Sequence, residues 1–353
     1  MNLPELSLLF LTFRLQARKS VTLPPFLGST LRGAFGTALK QVFCFVPHGK
    51  CERCWFFEAC PYQYIFESPN LIPNAENHPK LRGQKNLPHP FVMIPPVPKL
   101  KNRPKTVSAG KPNFNDDYAE NHIAGGEILE FSIMLIGKAT AFWAQILAAA
   151  QLSAENGLGK NRVPFDLLQA FTHDRNGNPV EIFNAREMRV SVKNVEPVSL
   201  VSAVNLHTEL LKNQCHGSEP KHLKIEFLTP ARIRIGDEIK PEIEAFELLK
   251  KITERIEFLA LIHAVTSQAV DYREFIENAG KMLNLDGDIK IYRYEQFSNR
   301  QNKKTSRDVM MAEMALSGSN LTNILPLLSA GEFLHVGANT SDGFGRYSFK
   351  ILN

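Results

Sequence analysis

The chain has 353 residues, 44% of them hydrophobic and 22% charged, with a net charge of +5 and an isoelectric point near 8.8. These proportions belong to a folded globular chain long enough for two domains, and they exclude a low-complexity or strongly acidic protein. No run of about 18 apolar residues occurs and the opening "MNLPELSLLF" has no basic leader, so the expectation is a cytoplasmic chain with reduced thiols and no membrane partner.

"LSLLFLTFRLQA", Leu6 to Ala17, predicts a buried strand. "GSTLRGAFGTALKQVF", residues 28 to 43, predicts a helix, with Ser29 or Thr30 in the capping position and Leu31, Ala34, Leu39 and Val42 near helical spacing. Arg32 and Lys40 fall on its other faces. Gly33 and Gly36 each weaken a helix by about 1 kcal/mol relative to alanine, which makes sense where another backbone packs closely. Asn77 to Asn115 holds eight Lys or Arg, eight Pro and no Asp or Glu. It reads as a basic loop around one short strand, "HPFVMIPP". "GEILEFSIMLIG" predicts a strand and "KATAFWAQILAAAQLSAENG" a helix. "VPFDLLQAFTHDRNGNPVEIF" predicts a hairpin turning at Asn176-Gly177.

In the second half, "HLKIEFLTPARIRIG" predicts a strand that continues after a turn. "PEIEAFELLKKITERIEFLALIHAV" is a long amphipathic helix, and "DIKIYRYEQFSNRQ" alternates as a strand. "NLTNILPLLSAGEFL" is a shorter helix, and "HVGANTSDGFGRYSF" leads into a last strand. Each half reads as strand, helix, strands, helix, strand, the order of a split βαβ unit. The expected fold is therefore α+β, two tandem ferredoxin-like domains over residues 1–185 and 186–353. The first carries a cysteine loop at 44–60 and the basic loop at 77–115; the second carries a glycine-rich loop at 337–345. A short internal echo, "ENGLGKNRVPFDLL" against "SDGFGRYSFKIL", is consistent with duplication.

Cys44, Cys51, Cys54 and Cys60 stand as C-x6-C-x2-C-x5-C, four of the five cysteines within 17 residues. In a reducing compartment such clustering favours a metal over disulfides, and four thiolates close the coordination shell, so the role would be structural. Zinc is the expected ion. The same spacing resembles the [4Fe–4S] loop of the endonuclease III family of DNA glycosylases, a likeness confined to this loop. Cys215 reads as a lone thiol.

Four stretches in order, "FLGSTLRGAFGTALK", the cysteine cluster with "CPYQYIFE", "FSNRQNKK" and "HVGANTSDGFGRYSF", resemble the RAMP superfamily of CRISPR-associated proteins, and within it the pre-crRNA processing endoribonucleases. The resemblance implies tandem ferredoxin-like (RRM-like) domains that hold CRISPR repeat RNA, with other CRISPR-associated proteins as further partners. It implies cleavage without a catalytic metal: the ribose 2′-OH attacks the adjacent phosphate, leaving a 2′,3′-cyclic phosphate and a 5′-OH.

Under that resemblance the glycine loop lies against an RNA backbone through Gly337, Asn339, Thr340, Ser341, Gly343, Gly345 and Arg346. The alternative is that its glycines serve only a tight turn and close packing between domains. Arg293, Arg300, Lys303, Lys304 and Arg307, interleaved with Tyr292, Tyr294 and Phe297, suit phosphate contact and base stacking, and Arg32 joins them from the first helix. Many members of the family place a histidine in or just after that helix, following "RGAFG"; this chain has Thr37 there. His48 and Lys40 are then the nearest catalytic candidates, as base or charge stabiliser. His335 reads as packed or capping and His263 as a core histidine. A non-catalytic RNA-gripping RAMP subunit and a metal-cluster DNA repair protein are the competing classes.

Overall fold

The computed structural model describes residues 2–44, 46, 51, 54–56, 59–67, 87–102, 111–215, 219–264, 271–298 and 303–352; His48 and Arg300 fall outside them. Alternating apolar side chains build β1 (Ser7–Ala17), with Leu9, Leu11, Phe13, Leu15 and Ala17 facing the first core. There follow β2 (Val21–Leu23), α1 (Gly28–Phe43), α2 (Pro61–Phe66), β3 (Phe91–Ile94), α3 (Phe114–Asp117), β4 (Asn121–Ile123) and β5 (Ile128–Ile136). After a 3-10 stretch over Gly137–Phe142 come α4 (Trp143–Glu155), β6 (Phe165–His173), β7 (Pro179–Asn184), β8 (Arg189–Val190) and β9 (Val198–Ser199). The helix expected from residue 138 thus begins regular α geometry only at Trp143. The expected turn at Asn176-Gly177 is present: Asp174 Oδ1 accepts from the backbone N–H groups of Asn176 and Asn178.

The remaining elements are α5 (Leu200–Gln214), β10 (His222–Phe227), α6 (Ala245–His263), α7 (Arg273–Met282), β11 (Leu283–Ser298), β12 (Lys303–Gly318), α8 (Leu321–Leu334) and β13 (Tyr347–Leu352). One antiparallel sheet runs β3-β5-β1-β6-β7-β8, with β9 on the free end of β1; the other runs β11-β12-β10-β13. Strands up to Ser199 still pair in the first sheet, past the expected boundary at 185. Helices α1 and α4 share the first core with β1, and α6 and α8 share the second with β10.

Both sheets place their second, third, first and fourth core strands side by side in that order. The glycine pairs of the internal echo sit at equivalent places. Gly157 and Gly159 follow α4 and precede β6; Gly343 and Gly345 follow α8 and precede β13, and all four have positive φ.

Two elements exceed the sequence expectation. Helix α5 bridges the halves with an Ser199 cap whose hydroxyl accepts from Val201 N–H. Strand β12 contains "VMMAEMALSG", rich in helix-forming Met and Ala. It is held extended by sixteen registered pairs with β11, so tertiary pairing overrides local preference.

Candidate nucleic-acid interface

Strands β11 and β12 outrun their sheet. β10 pairs with β12 only over Glu313 to Ser317, and the rest of the hairpin continues as an arm toward Phe26 and Phe114. The arm turns Tyr292 and Tyr294 inward onto Phe26, Phe114, Tyr118 and Phe344. Phe26 stands edge-on to Phe344 at 5.0 Å and to Tyr294 at 6.0 Å, so the chain entering α1 is fixed by rings from the arm and from the glycine loop. From the basic segment, Pro112 O accepts from Arg293 N–H at 2.8 Å and Lys111 Nζ pairs with Asp308 Oδ2 at 2.5 Å.

The glycine loop leaves α8 under firm control. Arg255 Nε donates to Leu334 O at 2.8 Å, capping the helix end, and His335 Nδ1 meets Phe344 O at 3.1 Å. Thr229 Oγ1 donates to Gly343 O at 2.8 Å and accepts from Arg346 N–H at 3.0 Å. A Cβ on Gly343 would stand 2.6 Å from Pro95 Cδ and 2.7 Å from Met93 O, and one on Gly28 would collide with the Asp342 carbonyl. Absent side chains therefore let the loop press onto β3 and the start of α1. The glycines serve the close packing that the sequence left as the alternative. Thr340, Ser341, Gly343 and Gly345 are buried in this packing, while Gly337, Asn339 and Arg346 stay partly exposed.

Arg32 is similarly engaged. Its Nε lies 3.2 Å from Asp342 Oδ1, an ionic contact off hydrogen-bond geometry; its Nη2 is 3.4 Å from His89 Nε2, and its guanidinium covers the Phe66 ring at 4.3 Å. Burial raises the Asp342 carboxyl above its ordinary pKa, against the pull of Arg32 and Arg307. Arg32 thus ties α1 to the glycine loop rather than standing free for phosphate.

The free cations lie elsewhere. Arg293, Lys303 and Lys304 are exposed on the arm and Arg307 is half-buried, none of them ion-paired among the described residues. Arg232 and Arg234 sit beside the loop and were missed by the sequence reading. The alternation in "ARIRIG" was the available signal: Ile233 is buried, Arg232 half-buried and Arg234 exposed.

The described histidines at the seam are poor proton carriers near neutrality. His89 is lowered to about 3 by burial and then by Arg32, His263 to about 4 by burial, and His335 to about 3 by burial and then by Arg346. His263 Nε2 meets Pro88 O at 2.8 Å and its Nδ1 the Tyr64 hydroxyl at 3.2 Å, as a core histidine should. Thr37 is exposed and donates to Gly33 O at 3.1 Å. Lys40 is half-buried, its Nζ 6.0 Å from the Tyr62 ring.

Cys44, Cys51, Cys54 and Cys60 are all partly buried free thiols. None is in a disulfide, Cys44 Sγ donates to Val46 O at 3.3 Å, and Cys51 and Cys60 pack on the first core. Among the described residues no three His, Cys, Asp or Glu are gathered to hold a metal ion. Cys215 is a buried thiol whose Sγ lies 3.6 Å from Leu211 O.

Three of the four sequence stretches meet at α1, and the arm that leads into the fourth reaches its start through Tyr294 and Gln296. Phe26 carries the rings of the arm and the loop, Gly28 lies under Asp342, Arg32 is covered by Phe66 from the stretch after Cys60, and Gly36 abuts the same ring. Residues 225–347, from β10 through the glycine loop, match the family model described as CRISPR-associated endoribonuclease Cas6, and residues 6–195, over half the chain, match the AF_1859_N model, described as an N-terminal domain. The chain belongs to the AF_1859_N family, and its second half is similar to Cas6.

Among solved structures, a partial Cas6-RT-Cas1–Cas2 complex matches with a TM-score of 0.57 at 13% identity, over 100% of this chain and 47% of that one. A Cas6-RT-Cas1–Cas2 complex matches with the same score and identity over 30% of its chain. The likeness is one of fold, and this chain spans about half and under a third of those polypeptides. A Thermus thermophilus Cas6 matches at 13% identity over 98% of both chains, with a TM-score of 0.47. No curated protein sequence matches. No helix among the described residues is long and apolar enough to cross a membrane.

Proposed function

We propose that the chain cleaves CRISPR repeat RNA without a catalytic metal, by attack of the internal 2′-OH, leaving 2′,3′-cyclic phosphate and 5′-OH ends. The observation that carries this reading is the convergence of three motif stretches, and of the arm that leads into the fourth, on one helix at the seam of two sheets. The common second-third-first-fourth strand order supports tandem ferredoxin-like domains. RNA lies on the exposed cations of the arm and on the open side of the glycine loop, and other CRISPR-associated proteins are its partners.

An internal nucleophile needs proton transfer and charge stabilisation. His48 and Lys40 are the assigned residues, because Thr37 carries no titratable group and His89, His263 and His335 are buried. Single-turnover cleavage of repeat RNA in EDTA tests this. The parent should yield cyclic-phosphate ends, and His48→Ala or Lys40→Ala should slow cleavage by ~10²–10⁴ with little loss of binding. Unchanged rates in both variants would move the chemistry off α1. Thr37 favours a second reading, a subunit that grips RNA without cutting it; tight binding with no cleaved product would select it.

A structural zinc, or a [4Fe–4S] cluster in its place, rests on the C-x6-C-x2-C-x5-C spacing alone. The arrangement of the thiols lends it no support.

A further inference from the structure

Residues 231–235 run between β12 and the glycine loop. Ala231 and Met310 exchange both backbone hydrogen bonds at 2.8 Å, and Ala338 N–H donates to Arg232 O at 3.1 Å on the other side. Side chains alternate along this segment: Ala231 and Ile233 are buried, whereas Arg232 and Arg234 face outward. Arg234 and Arg307 both stand within electrostatic reach of Arg232. Three guanidinium groups thereby share one neighbourhood at the edge of the loop, where Arg232 Nη1 donates to Asn339 Oδ1 at 2.7 Å.

The nearby carboxylates are already engaged, Asp308 with Lys111 and Asp342 with Arg32. None of the three arginines is ion-paired among the described residues, and Arg232 Nε is buried with no hydrogen-bond partner. Desolvation, then the charges of Arg234 and Arg307, hold the Arg232 guanidinium below its ordinary pKa. Folding has gathered like charges, two of them half-buried, with Arg232 Nε left without a hydrogen-bond partner. Such an arrangement costs stability unless an anion completes it.

We propose that Arg232, Arg234 and Arg307 form one phosphate seat for a single RNA strand, and that Arg232 links phosphate capture to the glycine loop through Asn339. The inference rests on the RNA-binding reading given above and assigns it residues outside the motif stretches. Cations spread over two chain segments suit successive phosphodiesters better than a single compact anion, and the guanidinium fork matches phosphate oxygens.

Arg234→Gln and Arg307→Gln test the seat in the full chain, with unstructured repeat RNA as the probe. Each should weaken binding several-fold at low salt, equally for unrelated sequences, and flatten the dependence of log K on log salt by about 0.7 per lost contact. Arg234→Gln should also raise the thermal midpoint of the RNA-free protein, because a like charge leaves the cluster; a purely structural arginine would shift it down. Parental affinity and salt slope in both variants, with the parent binding RNA, would overturn the seat and leave the RNA-binding reading intact. Inorganic phosphate stabilising the parent as much as RNA does, while both substitutions leave RNA binding alone, would make this a free-anion site and overturn it too. A parent with no affinity for repeat RNA at low salt would remove the RNA-binding reading itself and the seat with it.

Discussion

Two glycines of α1 separate residues that pack from residues that do not. A Cβ on Gly36 would meet Phe66 ring carbons at 2.7 Å and closer, whereas one on Gly33 meets nothing within 4 Å. Close packing thus explains Gly36 and not Gly33. Gly33→Ala is expected to raise stability toward the ~1 kcal/mol helix-propensity limit, and Gly36→Ala to lower it, because a ring that itself covers β3 and underlies Arg32 must shift. Urea midpoints of the two variants check this; a loss of stability in Gly33→Ala would mean that the open face of α1 is covered by part of this chain. Both glycines look alike in the sequence, and only the positions of their Cα atoms on the helix distinguish them.

At the scale of elements, periodicity made most of the two sheets legible. β1, β5, β6 and β10 alternate or run apolar, and α6 shows an apolar stripe, so local pattern and tertiary role agree. The arm was half legible. β11 alternates as "DIKIYRY", while β12 is written in residues that favour a helix and is extended because β11, and β10 over Glu313 to Ser317, pair with it. The glycine loop was legible as a special segment but not for its partner, since nothing in "SDGFG" announces that β3 and α1 lie against it. The cysteine loop remains a sequence-level feature. Cys51 and Cys60 anchor it to the first core, while Trp55 and Phe56 between them are exposed and so add nothing to a core there. A bound metal would supply that missing stabilisation. Protein purified without chelators is therefore expected to carry about one zinc, with Cys51→Ala/Cys54→Ala losing both metal and thermal stability. A brown absorbance with iron instead of zinc would select the cluster, and neither metal in the parent would end the proposal.

For the whole molecule, the seam between the two sheets makes folding depend on pH. His89, His263 and His335 have folded pKa values of about 3, 4 and 3, below the ordinary 6.5, all chiefly through burial. The unfolded chain takes up these protons first. Their stabilising contribution is therefore complete above pH 6.5 and is lost as pH falls toward 4. The half-buried His173 and His207, also lowered, act in the same direction. Glu332 opposes them: burial raises it to about 7, so its contribution is complete below 4.5 and is lost as pH rises through 7. Asp342, raised by burial, opposes them as well. Five groups against two give a net loss of stability on acidification from pH 6.5 to 4.5. Urea midpoints at constant ionic strength should fall across that interval, before most exposed carboxylates protonate. A midpoint that holds steady or rises there would mean that the seam histidines are charged in the folded protein, and that the packing of the glycine loop against α1 is looser than these contacts require.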